Sequence, residues 1–165
     1  MFNRRFLRIK AFQALYAWHH DGQSNRALHE KNLTKSLTKA YELYIYLLAL
    51  PASFRHFISL ELETQKSKYI PVQGLINPLE ALYNNQAIIL LENNGVLNEK
   101  IKANKAIWSN TKDLFKQLLT LLKQNEAFKK YAEKTTHTFF EDKAIVLEMF
   151  EVFVAESELY DDYLE

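Results

Sequence analysis

Apolar residues recur along this chain at three- and four-residue steps, the period of a helix with one buried face. The first such stretch covers residues 3–20. Phe2, Phe6, Ile9, Tyr16 and His20 share one side, and Leu7, Ala11, Ala14 and Trp18 cover another. From Ala11 onward little polar surface remains, so this half of the helix is expected to be deeply buried. Asp21-Gly22 supplies a stop. A second helix is expected over 26–50, with Leu33, Leu37, Tyr41, Tyr44 and Leu48 on its core face and Tyr46 nearer the surface. Pro51 lacks a backbone donor and should kink the helix or begin a new one, with Phe54, Phe57, Ile58 and Leu62 carrying the pattern to about Lys68.

Tyr69 to Asn77, with Pro71 and Gly74, is expected to be a loop. Asn77-Pro78-Leu79-Glu80 then has the composition of a helix start: a cap, a proline at the first helical position and an acid to close a capping box. This helix should run to Asn93-Asn94-Gly95, a left-handed stop. Further helices are expected at about 96–105, at 111–124 after Ser109-Asn110-Thr111, at 126–134 and at 141–157. In the last, Ile145, Met149, Val152 and Phe153 fall on one side. The predicted fold is all-α, a bundle of six to eight helices in a single domain over 1–165, with one long second helix.

Composition agrees. Only 3 Gly and 3 Pro occur in 165 residues, too few for a fold rich in tight turns. The absence of Cys excludes disulfides, thiol catalysis and Cys-based zinc sites. No uninterrupted apolar run reaches the ~18 residues of a membrane span, and the N-terminus lacks the pattern of a secretory signal. The expectation is a cytoplasmic protein with no membrane partner.

Charge is unevenly distributed. The net is +1, yet Arg4, Arg5, Arg8 and Lys10 place four positive charges before the first acid, Asp21. Residues 141–165 hold nine acids and one base. Arg4, Arg5 and Arg8 fall in one sector at the start of the first helix, where free N–H groups and the helix dipole also favour anions. Arginine suits phosphate because its planar fork donates two bonds together. These four residues are the candidate nucleic-acid contacts, set against ordinary surface arginines that pair with the acidic end.

Little else carries chemistry. His19-His20 are helix neighbours, pointing about 100° apart, and poorly placed to share a metal. Ser53 and Ser59 lack a nucleophile-elbow motif, no glycine-rich phosphate loop exists, and the dipole accounts for Glu141-Asp142 at a helix start. No catalytic residue, cofactor or metal is expected.

The run Arg4-Arg5-x-x-Arg8-x-x-Ala11-Phe12-Gln13-Ala14-Leu15-Tyr16-Ala17-Trp18 resembles the opening motif of the NusB family of bacterial transcription antitermination factors. Asn77-Pro78, Trp108-Ser109 and Leu159-Tyr160-Asp161 resemble an extended bacterial form of that family. The resemblance implies an all-helical, non-enzymatic protein that binds boxA-type RNA in nascent, particularly ribosomal, transcripts. It would act with the ribosomal protein NusE in the transcription elongation complex. It assigns RNA binding to Arg4, Arg5 and Arg8 and a packing role to Gln13, Leu15 and Tyr16; Lys10 is added on charge alone. Ile9 stands where most members carry an acid. The chain also holds no Pro-x-x-Val-x-Ile-Asn-Glu or Phe-Val-Asn-Gly-x-Leu-Asp segment. Residues 1–165 are therefore expected to match the family's N-terminal region, as part of a longer chain or as a diverged relative. A second expectation, from charge, is a helical protein-interaction module whose acidic C-terminal residues dock a basic partner.

Overall fold

Eight α-helices and no strand make up the described residues of the computed structural model, which are 3–22, 25–70, 72–108 and 111–155. They are α1 (Arg4–His20), α2 (Arg26–Lys66), α3 (Gln73–Tyr83), α4 (Gln86–Glu92), α5 (Gly95–Ala103), α6 (Lys112–Gln124), α7 (Glu126–Ala132) and α8 (Phe139–Ala155). The expected all-helical bundle with a long second helix is the fold observed. Phe2, Pro71, Ser109, Asn110 and the acidic segment 156–165 lie outside the described residues.

The chain divides into two compact units, residues 1–47 and 48–165. No linker composition marks the division because it falls inside α2, which continues through Pro51 for 41 residues. Pro51 cannot donate to the carbonyl four residues earlier, that of Leu47. The division thus coincides with the one carbonyl in mid-helix that proline deprives of its ladder bond.

The core of the second unit is built from the latter half of α2 and from α3 to α8. Phe54, Phe57, Ile58 and Leu62 are buried, as their spacing predicts. On α6, Leu114, Phe115, Leu118, Leu119 and Leu122 form a single buried stripe. On α8, Ile145, Met149 and Phe153 are buried and Val152 is half-buried. An aromatic chain links these helices: Phe54 to Phe115 at 5.5 Å between centroids, Phe115 to Trp108 at 6.3 Å, and Trp108 to Phe153 at 5.7 Å. Arg55 ties α2 to its neighbours. Its Nε donates to the Tyr83 carbonyl at 2.7 Å, a terminal nitrogen pairs with Glu92 at 2.6 Å, and the guanidinium lies 4.2 Å from the Tyr83 ring centroid.

The structure moves several expected boundaries. α3 begins at Gln73, not Asn77, so Pro78 lies inside it. The Val72 carbonyl accepts from Leu75 and Ile76, and Gln73 reaches Asn77, which closes a turn before the proline. The expected helix from Asn77 to Asn94 is two helices. Asn85 is extended and caps α4, its Oδ1 accepting from the Ile88 N–H at 3.0 Å. Gly95 is no left-handed stop: Asn94 caps α5 and Gly95 is its first residue. The left-handed position after α5 is instead Lys105, at φ 51°. There the Ala106 and Lys105 N–H groups return to the Ile101 and Lys102 carbonyls in a Schellman closure. Helix α8 starts at Phe139 because Thr138 and Glu141 form a reciprocal capping box. Gly22, at φ 65°, ends α1 at the stop its sequence predicts.

In α2, Tyr41 and Tyr44 are exposed and Tyr46 is half-buried, the reverse of the expected arrangement. The buried line of α2 runs instead through Ile45, Ala49 and Leu50. Although no uninterrupted apolar run is that long, α2 is long and apolar enough by length and composition to cross a membrane. Of its most apolar 18-residue stretch, 39% is buried within the protein.

Candidate nucleic-acid interface

Helix α1 is capped by Asn3, whose Oδ1 accepts from the Phe6 N–H at 2.8 Å. The other first-turn N–H groups have no acceptor within the helix. No acid lies in this turn. Arg4, Arg5 and Arg8 are all exposed and spread over about 100° of the helix circumference. None of the three forms an ion pair among the described residues. Positive side chains at the positive end of a helix dipole oppose the helix itself. The site therefore combines like charges, outward N–H donors and full solvent access, an arrangement that an anion relieves.

Lys10 does not join this patch. It lies about 200° around the helix from Arg8, half-buried, with Nζ 5.8 Å from the Phe6 ring centroid.

The expectation of deep burial from Ala11 onward is overturned, since α1 has no buried residue. Phe12 is 68% exposed and Tyr16 57%, and Gln13 and Leu15 are exposed as well. Within the first unit, α1 and the start of α2 flank a groove of about 340 Å³. Its lining includes Ala11, Ala14 and Trp18 from α1 and His29 and Leu33 from α2. One flanking helix covers one side only, so the remaining apolar side chains stay in solvent. That exposed side continues the arginine row: Arg4, Arg8, Phe12, Tyr16 and His20 follow at four-residue steps. The rings of Phe12 and Tyr16 stack with centroids 6.3 Å apart and 28° between planes, and His20 lies 4.3 Å beyond Tyr16. Cationic and aromatic groups thus share one exposed strip. The four-residue spacing was present in the sequence, but it also fits a buried helix face, and only the absence of a covering element among the described residues of the first unit distinguishes the two. Trp18 Nε1 is buried beside the groove without a hydrogen-bond partner among the described residues.

Among the described residues, the second unit holds a buried polar cluster. Asp142, 2% exposed, accepts from the Tyr131 hydroxyl at 2.6 Å and from the Gln86 N–H at 2.8 Å. Asn85 donates to the Tyr131 oxygen and to the Asp142 carbonyl. Burial, and then the adjacent Asp142 carboxylate, push the Tyr131 hydroxyl far above its ordinary pKa and keep it protonated. The His137 ring stacks on Tyr131 at 3.8 Å. Taken together, these bonds pin α4, α7 and α8 to one another. A groove of about 640 Å³, whose lining includes Ala49, Phe57, Leu60, Ile101, Trp108 and Phe115, is mainly apolar. Among the described residues, no three His, Asp or Glu gather as a metal site, and His19 and His20 meet only edge to face.

No protein-family model, curated protein or solved structure matches this chain.

Proposed function

We propose that this chain is a non-enzymatic RNA-binding protein of the NusB type, contacting boxA-type RNA of nascent ribosomal transcripts through the N-terminal turn of α1. NusE and the elongation complex are the companions that this reading implies. The observation that carries it is the set of three exposed arginines without ion pairs among the described residues, Arg4, Arg5 and Arg8, on a helix N-terminus with no acid in its first turn. Phosphate oxygens would take up the guanidinium forks and the outward N–H groups together. The neighbouring rings of Phe12 and Tyr16 offer flat apolar faces of the kind on which unpaired bases stack.

Fluorescence anisotropy with a labelled boxA-like single strand tests the proposal. Affinity should fall steeply with salt. Changing Arg4, Arg5 and Arg8 together to Ala should reduce the slope of log affinity against log salt by about 2, the value for three phosphates on a single strand. Unchanged affinity and slope in the triple variant would refute the role given to these residues.

A further inference from the structure

We infer that helix α8 is the contact surface of a homodimer, two copies packing antiparallel about a two-fold axis that passes beside Leu147. This does not depend on the RNA reading and concerns the second unit alone.

The inner face of α8 is fully used, with Ile145, Met149 and Phe153 in the core. Its outer face mixes two charged side chains, Lys143 and Glu151, with exposed apolar ones. Phe140 is 80% exposed, Leu147 53% and Val154 57%. These three are spaced by seven residues and so stay on one line of the helix, forming a stripe about 21 Å long. Such a stripe is costly in water and calls for a covering surface.

The order of residues around Leu147 indicates what covers it. In an antiparallel two-fold pair centred there, a residue any number of steps before Leu147 lies level with the residue the same number of steps after it in the other copy. Seven steps out, Phe140 meets Val154, two exposed apolar groups. Four steps out, Lys143 meets Glu151. Both are exposed, and neither forms an ion pair among the described residues. Three steps out, Ala144 meets Phe150, a small side chain level with a large one. The stripe is therefore complementary to its own reverse in charge as well as in apolar character. A parallel pairing would instead put Lys143 beside Lys143 and Glu151 beside Glu151.

Sedimentation equilibrium of the whole chain over about 1–100 µM reads the result directly. The expected wild-type species is a dimer. Leu147→Glu should be monomeric with unchanged helical circular dichroism, because the side chain it replaces faces outward. Lys143→Glu and Glu151→Lys should each weaken dimerisation by about tenfold, since each creates two like-charge pairs per dimer. The combined exchange K143E/E151K should return affinity to near the wild-type value. A wild-type monomer at the highest concentration overturns the inference and assigns the stripe to a different partner. A dimer insensitive to Leu147→Glu, or a double exchange that fails to restore affinity, overturns this two-fold arrangement.

Discussion

At the scale of single residues, this protein places its polar groups where they close helices onto one another. Asp142 is a buried carboxylate without an ion pair among the described residues, held by the Tyr131 hydroxyl and the Gln86 N–H. Removing one partner leaves the other unsatisfied, so Tyr131→Phe should cost about 1–3 kcal/mol in urea unfolding, although it deletes a single oxygen. Glu141 shows the pH counterpart. Its hydrogen bond from Lys134, then those from the Thr138 N–H and hydroxyl, lower its pKa from 4.5 to about 2. A carboxylate depressed in the folded state contributes stability that is complete above 4.5 and disappears as pH falls toward 2. Melting temperatures across that window should fall less steeply for Glu141→Gln than for the wild type. Lys105 occupies a left-handed position that glycine adopts without steric cost. Lys105→Gly should therefore raise the melting temperature, by the equivalent of about 0.5–1 kcal/mol. The Thr138-x-x-Glu141 box stands in the sequence just ahead of the expected start at Glu141, but the structure is what identifies it as the start of α8. The Lys105 conformation was not legible in the sequence, because nothing local requires a lysine there.

At the scale of elements, helical periodicity located the helices, with α3 and α4 read as one, but not which face of each would be buried. Phe54 and Phe12 belong to equally plausible apolar patterns, yet Phe54 is wholly buried and Phe12 is 68% exposed. Phe54→Ala should destabilise the protein by about 3–5 kcal/mol, and Phe12→Ala by less than about 0.5 kcal/mol. Chemical denaturation of the two variants side by side checks the contrast. The break between α3 and α4 has the same origin. Asn85 leaves the helix because its side chain is committed to the Ile88 N–H, Tyr131 and Asp142, the last two 46 and 57 residues away. Pro78 misleads in the opposite direction, because a proline suited to a first helical position sits within α3.

At the scale of the whole molecule, burial is concentrated in the second unit, whereas α1 has no buried residue. Local opening should follow that difference. Amides of α1 should exchange hydrogen orders of magnitude faster than those of α6 and α8, as read by mass spectrometry on the intact chain. Among the candidate contacts, Arg4, Arg5 and Arg8 were legible because charge and helical spacing are local properties, and the structure leaves them together and exposed. Lys10 was chosen on charge alone and the helix turns it away. By itself the sequence determined the helical class, most of the helix order and the clustering of positive charge at one helix start. Period, propensity and capping act over a few residues, and so do the charges of one helical turn. Tertiary structure decided where α3 and α4 part, which tyrosines of α2 meet solvent, and that the apolar side of α1 stays open beside its arginines. Those outcomes depend on whether a distant element covers a given face, and no local pattern encodes that.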